Sequence, residues 1–342
     1  MTANIAQLVR QWDDRLIATS DGARFDHLYE RIVFSADHLF WQYLPTLSAE
    51  HLDFDQRLAE WIGALDGQDA LQRTLLDLAG RITFFAREDF DKLHQVALSG
   101  PITRWIVDLL KLPFLTPGFA AAVDEAIYRD TWYCGLSDSM AIADFHHVNR
   151  LGGIGYRPDV RSLATFSNAC TVATFMQTYS DAQGPRPLKR LVVLEDFVGS
   201  GTQLLDAEQM IVELCQLGVP VLLVPLVVCP AGDVLARSLA SRAGPEFQYA
   251  PVLALDEREF VGPAPAVGES TLHTAVRDLV LRTYPLVTGD GSAAPRPYSE
   301  FGFKNTGALV VMFSNTPANT LPVVQHGSNS WTPLFPRSAR VR

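Results

Sequence analysis

The chain has 342 residues, 28 of them basic and 38 acidic, which gives a formal net charge of −10. This length is typical of about two domains. Apolar residues make up 48% and charged residues 19%, so the composition supports a sizeable core and excludes wholesale disorder. Residues 1–130 carry 12 basic and 20 acidic side chains, and residues 131–342 carry 16 and 18. Neither part has the basic stripe that duplex binding requires, so we expect no broad nucleic-acid surface.

Membrane insertion and disulfide bonding are not expected either. The first residues lack a basic head and a long apolar core, so they do not form a signal peptide. The longest apolar stretch, residues 219–229, contains two prolines and is too short to span a bilayer. The cysteines lie far apart without a C-x-x-C pair, which predicts reduced, mostly buried thiols in a cytoplasmic protein: Cys134, Cys170, Cys215 and Cys229.

Residues 1–128 have the apolar spacing of helices. Apolar side chains recur at three- and four-residue steps, as at Leu58, Trp61 and Ile62. We therefore predict an all-helical N-terminal domain over residues 1–128 and a second domain over residues 129–342. The acidic excess of the helical part favours assembly or contact with a protein partner, although exposed carboxylates on helices are ordinarily only solvated.

The pattern changes near Trp132, where a short apolar run meets a polar turn. Beyond it, apolar spacing predicts helices over residues 140–149, 162–179 and 271–284, and strands over residues 247–255 and 308–313. The segment 181–190 is a loop by its Gly and Pro content.

The clearest unit of the second domain is a strand, a helix and a second strand. Residues 191–194 form an apolar strand, residues 195–201 a polar turn, and residues 202–217 a helix with one apolar face. Residues 221–229 form a second, continuously apolar strand, which is typical of burial on both faces of a parallel sheet. The second domain is therefore predicted to be α/β.

The turn between this strand and helix carries the chemistry. Glu195 and Asp196 end the strand, and a Gly/Ser/Thr loop then leads directly into the helix. Loop amides and a helix N-terminus favour a phosphate, because those N–H groups lack partners within the helix. Hydroxyls of Ser200 and Thr202 can donate to the same phosphate. A carboxylate pair followed by such a cradle suits a ribose 5-phosphate.

The stretch 191–202 resembles the phosphoribosyl-diphosphate signature of type I phosphoribosyltransferases: four apolar residues, an acidic pair, two usually apolar residues, and a small-residue loop with Gly-Thr. The wider pattern is similar to phosphoribosyltransferase-like proteins of bacterial conflict (defence) systems, on the segments GPITRWIVD, YCGLSDS and FGFKNTGALVVMFSNTPANTLPVV. The resemblance implies a parallel-sheet domain of the phosphoribosyltransferase type after the all-helical domain.

The resemblance also implies residue roles. Glu195 and Asp196 would hold the ribose 2- and 3-hydroxyls. Six residues would wrap the 5-phosphate: Phe197, Val198, Gly199, Ser200, Gly201 and Thr202. Mg²⁺ would bind through the diphosphate and the ribose hydroxyls of the substrate and not in a protein cage, which agrees with its preference for phosphates and water. An ordinary strand end followed by an ordinary glycine turn would use the same residues.

One position departs from the resemblance. Members that salvage 6-oxopurines usually carry an aspartate at the fifth position counted from the acidic pair, and this chain has Gly199 there. Purine-salvage chemistry is therefore disfavoured, and the general base stays unassigned.

Further residues are weaker candidates for the same ligand. Ser137, Asp138 and Ser139 occupy the place of a diphosphate-binding loop, where an N-cap would use them equally well. Four cations could neutralise a diphosphate, although exposed cations are common: Arg157, Arg161, Lys189 and Arg190.

Two other groups have ordinary explanations that we favour. His146 and His147 are adjacent on a predicted helix, so they point to different faces and are not expected to chelate one metal ion. Amides and hydroxyls follow the last strand, where they could read a base but more simply cap turns: Asn315, Thr316, Asn319 and Thr320.

Two functions of different class follow. The first is Mg²⁺-dependent transfer of a phosphoribosyl group from phosphoribosyl diphosphate to an acceptor that the sequence does not name. The second is a binding or sensing module that keeps the phosphate cradle without transfer activity, which the glycine at position 199 and the large helical addition favour. A third, weaker interpretation is another phosphate-ester enzyme on a doubly wound sheet.

Overall fold

A computed structural model describes residues 5–17, 25–47, 53–152, 161–289 and 298–338. The α-helices are α1 (Ile5–Ile17), α2 (Phe25–His38), α3 (Phe54–Gly63), α4 (Asp69–Ala79), α5 (Arg87–Ala97), α6 (Thr103–Leu110), α7 (Phe119–Tyr128), α8 (Ile142–Val148), α9 (Ala169–Thr178), α10 (Thr202–Gln216), α11 (Pro230–Ala243), α12 (Thr271–Thr288) and α13 (Pro322–Gln325). The strands are β1 (Thr83–Phe85), β2 (Thr131–Gly135), β3 (Ser180–Asp181), β4 (Gly184–Pro185), β5 (Arg190–Val198), β6 (Val221–Val228), β7 (Phe247–Tyr249), β8 (Leu253–Ala254), β9 (Tyr298–Ser299), β10 (Gly302–Phe303) and β11 (Val310–Met312).

The chain forms two compact units that do not follow the predicted boundary at residue 128. The first unit combines Met1–Arg87 with Glu257–Arg342, and the second is Glu88–Asp256. Residues 88–128, which sequence analysis assigns to the helical N-terminal domain, thus lie in the unit of the parallel sheet. The mixed α/β class and the largely helical N-terminal region agree with the prediction.

The second unit is built on a parallel sheet with the order β2-β5-β6-β7. Two short strands share the outer position beside β6. β7 pairs with the first three residues of β6, and β8 pairs with the last two residues of β6. The strand predicted over residues 247–255 is therefore interrupted at its centre. Backbone hydrogen bonds from Ala250 and Val252 to β6 keep the interrupted segment alongside it.

Helices cover both faces of this sheet. On one face, Trp132, Val193 and Leu223 pack in a core with α9, α10 and α11. The opposite face includes Tyr133, whose hydroxyl donates to the Ile127 carbonyl at the end of α7, at 3.0 Å. Its ring also lies against Phe145 of α8, at 5.2 Å between centroids. Strands buried on both faces need helices on both, which explains why residues 88–128 belong to this unit.

The first unit has its own core, to which residues from both the N-terminal and the C-terminal parts of the chain contribute. β1 pairs in parallel with β11, so the prediction of an all-helical region is wrong at residues 83–85. The partner of β1 lies far along the chain, and a local pattern cannot show such a pairing. For the same reason the predicted last strand joins β1 and not the large sheet. Phe40, Tyr43 and Phe335 pack around this pair with centroid distances of 5.1 and 5.4 Å from the Phe335 ring.

All four cysteines are free, and three of them are buried, as predicted. Among the described residues, none of the helices combines the length and the hydropathy needed to cross a membrane.

Substitution of a core leucine in the sheet tests this arrangement. Leu223 on β6 is fully buried, and Leu217 after α10 is 54% exposed. Leu223→Ala should lower the free energy of unfolding by about 2–5 kcal/mol, because it removes buried methyl groups and leaves a cavity. Leu217→Ala is the matched control and should change it by less than about 1 kcal/mol. Chemical denaturation measures both, and equal losses would contradict the placement of β6 at the centre of the sheet.

Candidate functional site

The candidate site lies at the carboxyl ends of β2, β5 and β6. Because these strands run parallel, the segments that follow them meet at one edge of the sheet. These segments are residues 136–140, 199–202 and 229–232. Ligands of open α/β sheets bind at this kind of edge. The structure therefore brings together the two stretches that sequence analysis proposes for phosphate and diphosphate.

β5 is longer than the sequence pattern indicates. The predicted turn begins at Glu195, but the strand continues to Val198. Phe197 pairs with Val227 and Val198 with Val228, so the ladder with β6 extends the strand past the acidic pair. The turn boundary is thus wrong, because cross-strand pairing overrides the polar composition. The loop free of strand pairing consists of Gly199, Ser200 and Gly201, which lead into α10.

Glu195 is completely buried and its carboxylate is already occupied. The Ser137 amide donates to Oε2 at 3.1 Å, and the Ser137 hydroxyl lies 2.7 Å from Oε1. The Ser139 hydroxyl lies 3.0 Å from the same Oε1. Glu195 therefore ties the segment after β2 to the end of β5, which gives Ser137 and Ser139 a structural reason to be at this place.

Burial dominates the ionisation of this carboxyl. The low-dielectric surroundings, and secondarily the charge of Asp196, raise the pKa of Glu195 to about 8. The hydrogen bonds from Ser137 and Ser139 oppose that rise without cancelling it. Burial therefore favours the protonated form of this carboxyl over its charged form.

Asp196 is the member of the acidic pair that reaches the surface. It is partly exposed, and its Oδ1 accepts from the Phe197 amide at 2.8 Å. The Ser139 hydroxyl lies 3.2 Å from the same oxygen. The neighbouring Asp138 is exposed on the segment after β2. Of the predicted carboxylate pair, only Asp196 is placed to meet a ligand.

The loop before α10 has the features of an anion cradle. Gly201 adopts a left-handed conformation with φ 79°, which glycine permits at no steric cost. The hydroxyls of Ser200 and Thr202 lie 3.1 Å apart. Within the described part of the chain, no side chain caps the N-terminus of α10, so its first amides keep their donor capacity for a ligand.

Sequence analysis missed Gly232, which lies in the first turn of α11 and packs closely against the backbone at the start of this loop. A Cβ at Gly232 would lie 2.8 Å from the carbonyl oxygens of both Val198 and Gly199. A Cβ at Gly201 would likewise meet the Leu235 side chain at 2.6 Å. The first turn of α11 thus packs directly under the loop. The only local signal is the sequence Pro-Ala-Gly at the helix start, which does not reveal a contact with residues thirty positions earlier.

Two of the candidate cations lie at the opposite edge of the sheet. Lys189 and Arg190 sit at the start of β5, roughly 17 Å from Glu195 by the rise of a strand. The Lys189 ammonium pairs with Asp130 at 2.9 Å, and the Arg190 guanidinium approaches the same carboxylate at 3.9 Å. They therefore cannot neutralise a diphosphate at the carboxyl edge.

The remaining candidates are placed as follows. Arg161 stacks over the Phe166 ring, with its guanidinium carbon 4.8 Å from the centroid. Arg157 lies outside the described residues. His146 is buried and its Nδ1 is 2.9 Å from the Ile142 carbonyl, whereas His147 is exposed. The two histidines point to different surroundings, as predicted.

The amides and hydroxyls after β11 hold the first unit together. The Asn315 side chain bridges to the backbone of Ser338, with contacts of 3.1 Å in both directions. The Thr316 hydroxyl lies 2.7 Å from that of Tyr43, and the Asn319 amide donates to the Thr306 hydroxyl at 2.8 Å. Thr320 donates to the Val310 carbonyl. These side chains are therefore engaged in structural hydrogen bonds, but the bonds join segments distant in sequence and do not cap local turns.

The last kind of site considered is a metal site made by protein side chains alone. Over the ranges that the structure describes, no three or more His, Cys, Asp or Glu side chains are grouped to hold a metal ion.

The buried carboxyl predicts a specific pH dependence of stability. A folded-state pKa above the unfolded value means that stability is highest at low pH and is lost as pH rises from about 4.5 towards 8. Relative to Glu195→Gln, the wild-type chain should lose up to about 1.4 kcal/mol per pH unit across this range. Denaturation of both proteins between pH 5 and pH 9 measures the difference, and parallel curves would show that Glu195 ionises normally.

Gly232→Ala should disturb the loop. The added methyl would overlap two backbone oxygens, so we expect a loss of about 1–3 kcal/mol in stability and a displaced loop at residues 199–201. Gly100→Ala is the control, because a Cβ at Gly100 meets nothing within 4 Å. Denaturation and amide NMR shifts measure the two effects. Unchanged amide shifts in this loop would contradict the packing.

Comparison with known proteins agrees with this geometry. The family model PRTase-CE matches residues 58–337. No curated protein and no solved structure matches the chain. Because the matched region spans most of the sequence and includes the whole parallel sheet with its carboxyl-edge loops, the protein belongs to the PRTase-CE family of phosphoribosyltransferase-like proteins.

Proposed function

We propose that this protein binds phosphoribosyl diphosphate at the carboxyl edge of the sheet and transfers its phosphoribosyl group. The observation that carries the proposal is the placement of Asp196 beside the uncapped N-terminus of α10 and its glycine loop. Family membership supports phosphoribosyl transfer as the class of reaction. The acceptor is left open.

The loop before α10 would hold the 5-phosphate of the ligand. Amides at the helix N-terminus and the hydroxyls of Ser200 and Thr202 supply donors, and the helix dipole favours a negative charge there. Phe197 and Val198, which the resemblance also assigns to the phosphate, are engaged in the strand ladder. The proposed cradle is therefore narrower than the sequence suggests and consists of residues 199–202.

Asp196 would accept hydrogen bonds from the ribose hydroxyls. It is the partly exposed carboxylate of the pair and lies three positions before the start of the cradle, so a ribose attached to the bound phosphate would reach it. The segment of Ser137, Asp138 and Ser139 would approach the diphosphate. The protein would act mainly by positioning and by stabilising charge as the diphosphate leaves and the ribose carbon becomes cationic.

Mg²⁺ is the cofactor that we propose for this reaction. The donor set fits an ion that binds mainly to substrate, because both oxygens of Glu195 are hydrogen-bonded, and the accessible carboxylates at this edge are Asp138 and the partly exposed Asp196. When bound, Mg²⁺ would neutralise charge on the diphosphate.

A binding or sensing module is the second candidate. Gly199 stands where salvage members of the resembled families carry an aspartate, so the site has no assigned base. In that case the site would bind the same ligand without releasing diphosphate.

For either function we propose action in a bacterial conflict system, with the acidic helices of the first unit contacting a protein partner. The side chains of Phe34 and Trp41 are 61% and 63% exposed, which supports a contact there.

Titration calorimetry with phosphoribosyl diphosphate and Mg²⁺ tests the binding step. Asp196→Asn should weaken binding by roughly 10- to 100-fold, because it removes charge-assisted hydrogen bonds of about 1.5–3 kcal/mol each. Ser200→Ala should weaken it by roughly fivefold through loss of one neutral donor. Ser241→Ala, at an exposed serine near the end of α11, is the matched control and should bind as the wild type does.

The outcomes separate the candidates. Binding by the wild type with the expected losses, together with diphosphate release in the presence of an acceptor, supports transfer. Binding without release from any nucleobase, nucleoside or amine tested supports the sensing module. Equal affinities for Asp196→Asn and Ser241→Ala would contradict the site.

A further inference from the structure

Four short contacts join two serine hydroxyls and two carboxyls beneath the proposed ligand. Glu195 Oε1 lies 2.7 Å from Ser137 Oγ and 3.0 Å from Ser139 Oγ. The two serine oxygens are 2.6 Å apart. Ser139 Oγ also lies 3.2 Å from Asp196 Oδ1. The four groups thus form one connected hydrogen-bond network between the buried carboxyl and the exposed one.

The number of protons limits how this network can be satisfied. Each serine hydroxyl donates only once, so two hydroxyl protons cannot serve four contacts when both carboxyls are ionised. A proton on Glu195 supplies a third donor. Glu195 then donates to Ser137, Ser137 donates to Ser139, and Ser139 donates to Asp196. This arrangement gives a proton to three of the four contacts, including the 2.6 Å contact between the two serine oxygens, and leaves the 3.0 Å contact between Ser139 Oγ and Glu195 Oε1 without one.

We propose that Glu195 is a positioning residue that holds a proton while the site binds its ligand, and that this proton orders the hydroxyls of Ser137 and Ser139 so that Asp196 is the ionised, oriented member of the acidic pair. The identity of the ligand rests on the proposed function. Glu195 itself does not touch the ligand, because it is fully buried. No net reaction is involved, since the proton comes from solvent and returns to it.

The charges around Glu195 agree with this assignment. On β5, the charged neighbour of Glu195 is Asp196. On β6, the residue opposite Glu195 is Pro225. β2 contributes the Cys134 thiol, whose pKa burial raises well above the ordinary value, so it stays neutral. The segment after β2 contributes Asp138, which is exposed. The site presents no cation to Glu195 among these groups, and a protonated carboxyl avoids a second negative charge beside an anionic phosphate.

The first arm of the test uses the full chain without ligand. Carbon-13 NMR of labelled Asp and Glu carboxyls, assigned with Glu195→Gln and Asp196→Asn, follows both groups between pH 5 and pH 10. We expect Glu195 to titrate well above the usual range for glutamate. The Asp196 signal should show a second step at the same midpoint, and Ser139→Ala should reduce that step by at least half. Ser200→Ala is the control and should leave both titrations unchanged.

The second arm uses ribose 5-phosphate without metal. Affinity of the wild type for ribose 5-phosphate should fall roughly five- to tenfold between pH 7 and pH 9. This fall corresponds to a ligand-induced rise of about one in the pKa of Glu195. Glu195→Gln, which mimics the protonated carboxyl, should bind with less than about twofold change over that range. Calorimetry at pH 8 in buffers of different ionisation enthalpy should show proton uptake on binding by the wild type and none by the variant.

The two arms separate this proposal from the proposed function. Titration of Glu195 in the ordinary range, or an Asp196 step that Ser139→Ala does not reduce, overturns the proton-ordered chain whether or not ligand binds. Proton release on binding, or an equal pH dependence in Glu195→Gln, overturns it as well. A failure of ribose 5-phosphate to bind at any pH, with the ligand-free titrations as expected, overturns the proposed function and leaves the ordered chain supported.

Discussion

Burial of β5 and β6 on both faces is the constraint on which the second unit depends. Their side chains are almost all inaccessible to solvent, so helices must cover the sheet on each side. α9, α10 and α11 cover one face, and helices that precede the sheet in sequence help to cover the other. Because of this requirement, residues 88–128 belong to the α/β unit. It also leaves the carboxyl edge as the place where polar loops can meet without disturbing the core.

The same burial sets the chemistry of that edge. β5 continues past the acidic pair because its ladder with β6 continues, and the alternation of a strand then separates the two carboxyls. Glu195 falls on the buried side and Asp196 reaches the surface. An adjacent pair that looks equivalent in sequence is thereby divided into a buried carboxyl and a partly exposed one, and Ser139 contacts both. The division explains how two carboxylates can lie beside the proposed site for an anionic ligand.

In the first unit, polar residues that could read a base by their place after a strand make structural hydrogen bonds. The amides and hydroxyls that follow β11 join this segment to Tyr43, to Thr306 and to the backbone of Ser338. They stabilise a junction between distant parts of the chain, in which β1 and β11 pair across most of the sequence. Backbone groups buried at such a junction need partners, and short polar side chains supply them.

Local sequence determined the βαβ order, the glycine loop before α10, the amphipathic helices and the phosphoribosyltransferase resemblance that the family match supports. These features depend on periodicity and on residues close together in the chain. The tertiary structure alone decided the rest: the extension of β5 to Val198, the burial of Glu195 against Ser137, the packing of Gly232 under the loop, and the helices that join the sheet. Each of these is a contact between segments distant in sequence, and its energy comes from pairing and burial that no local pattern records.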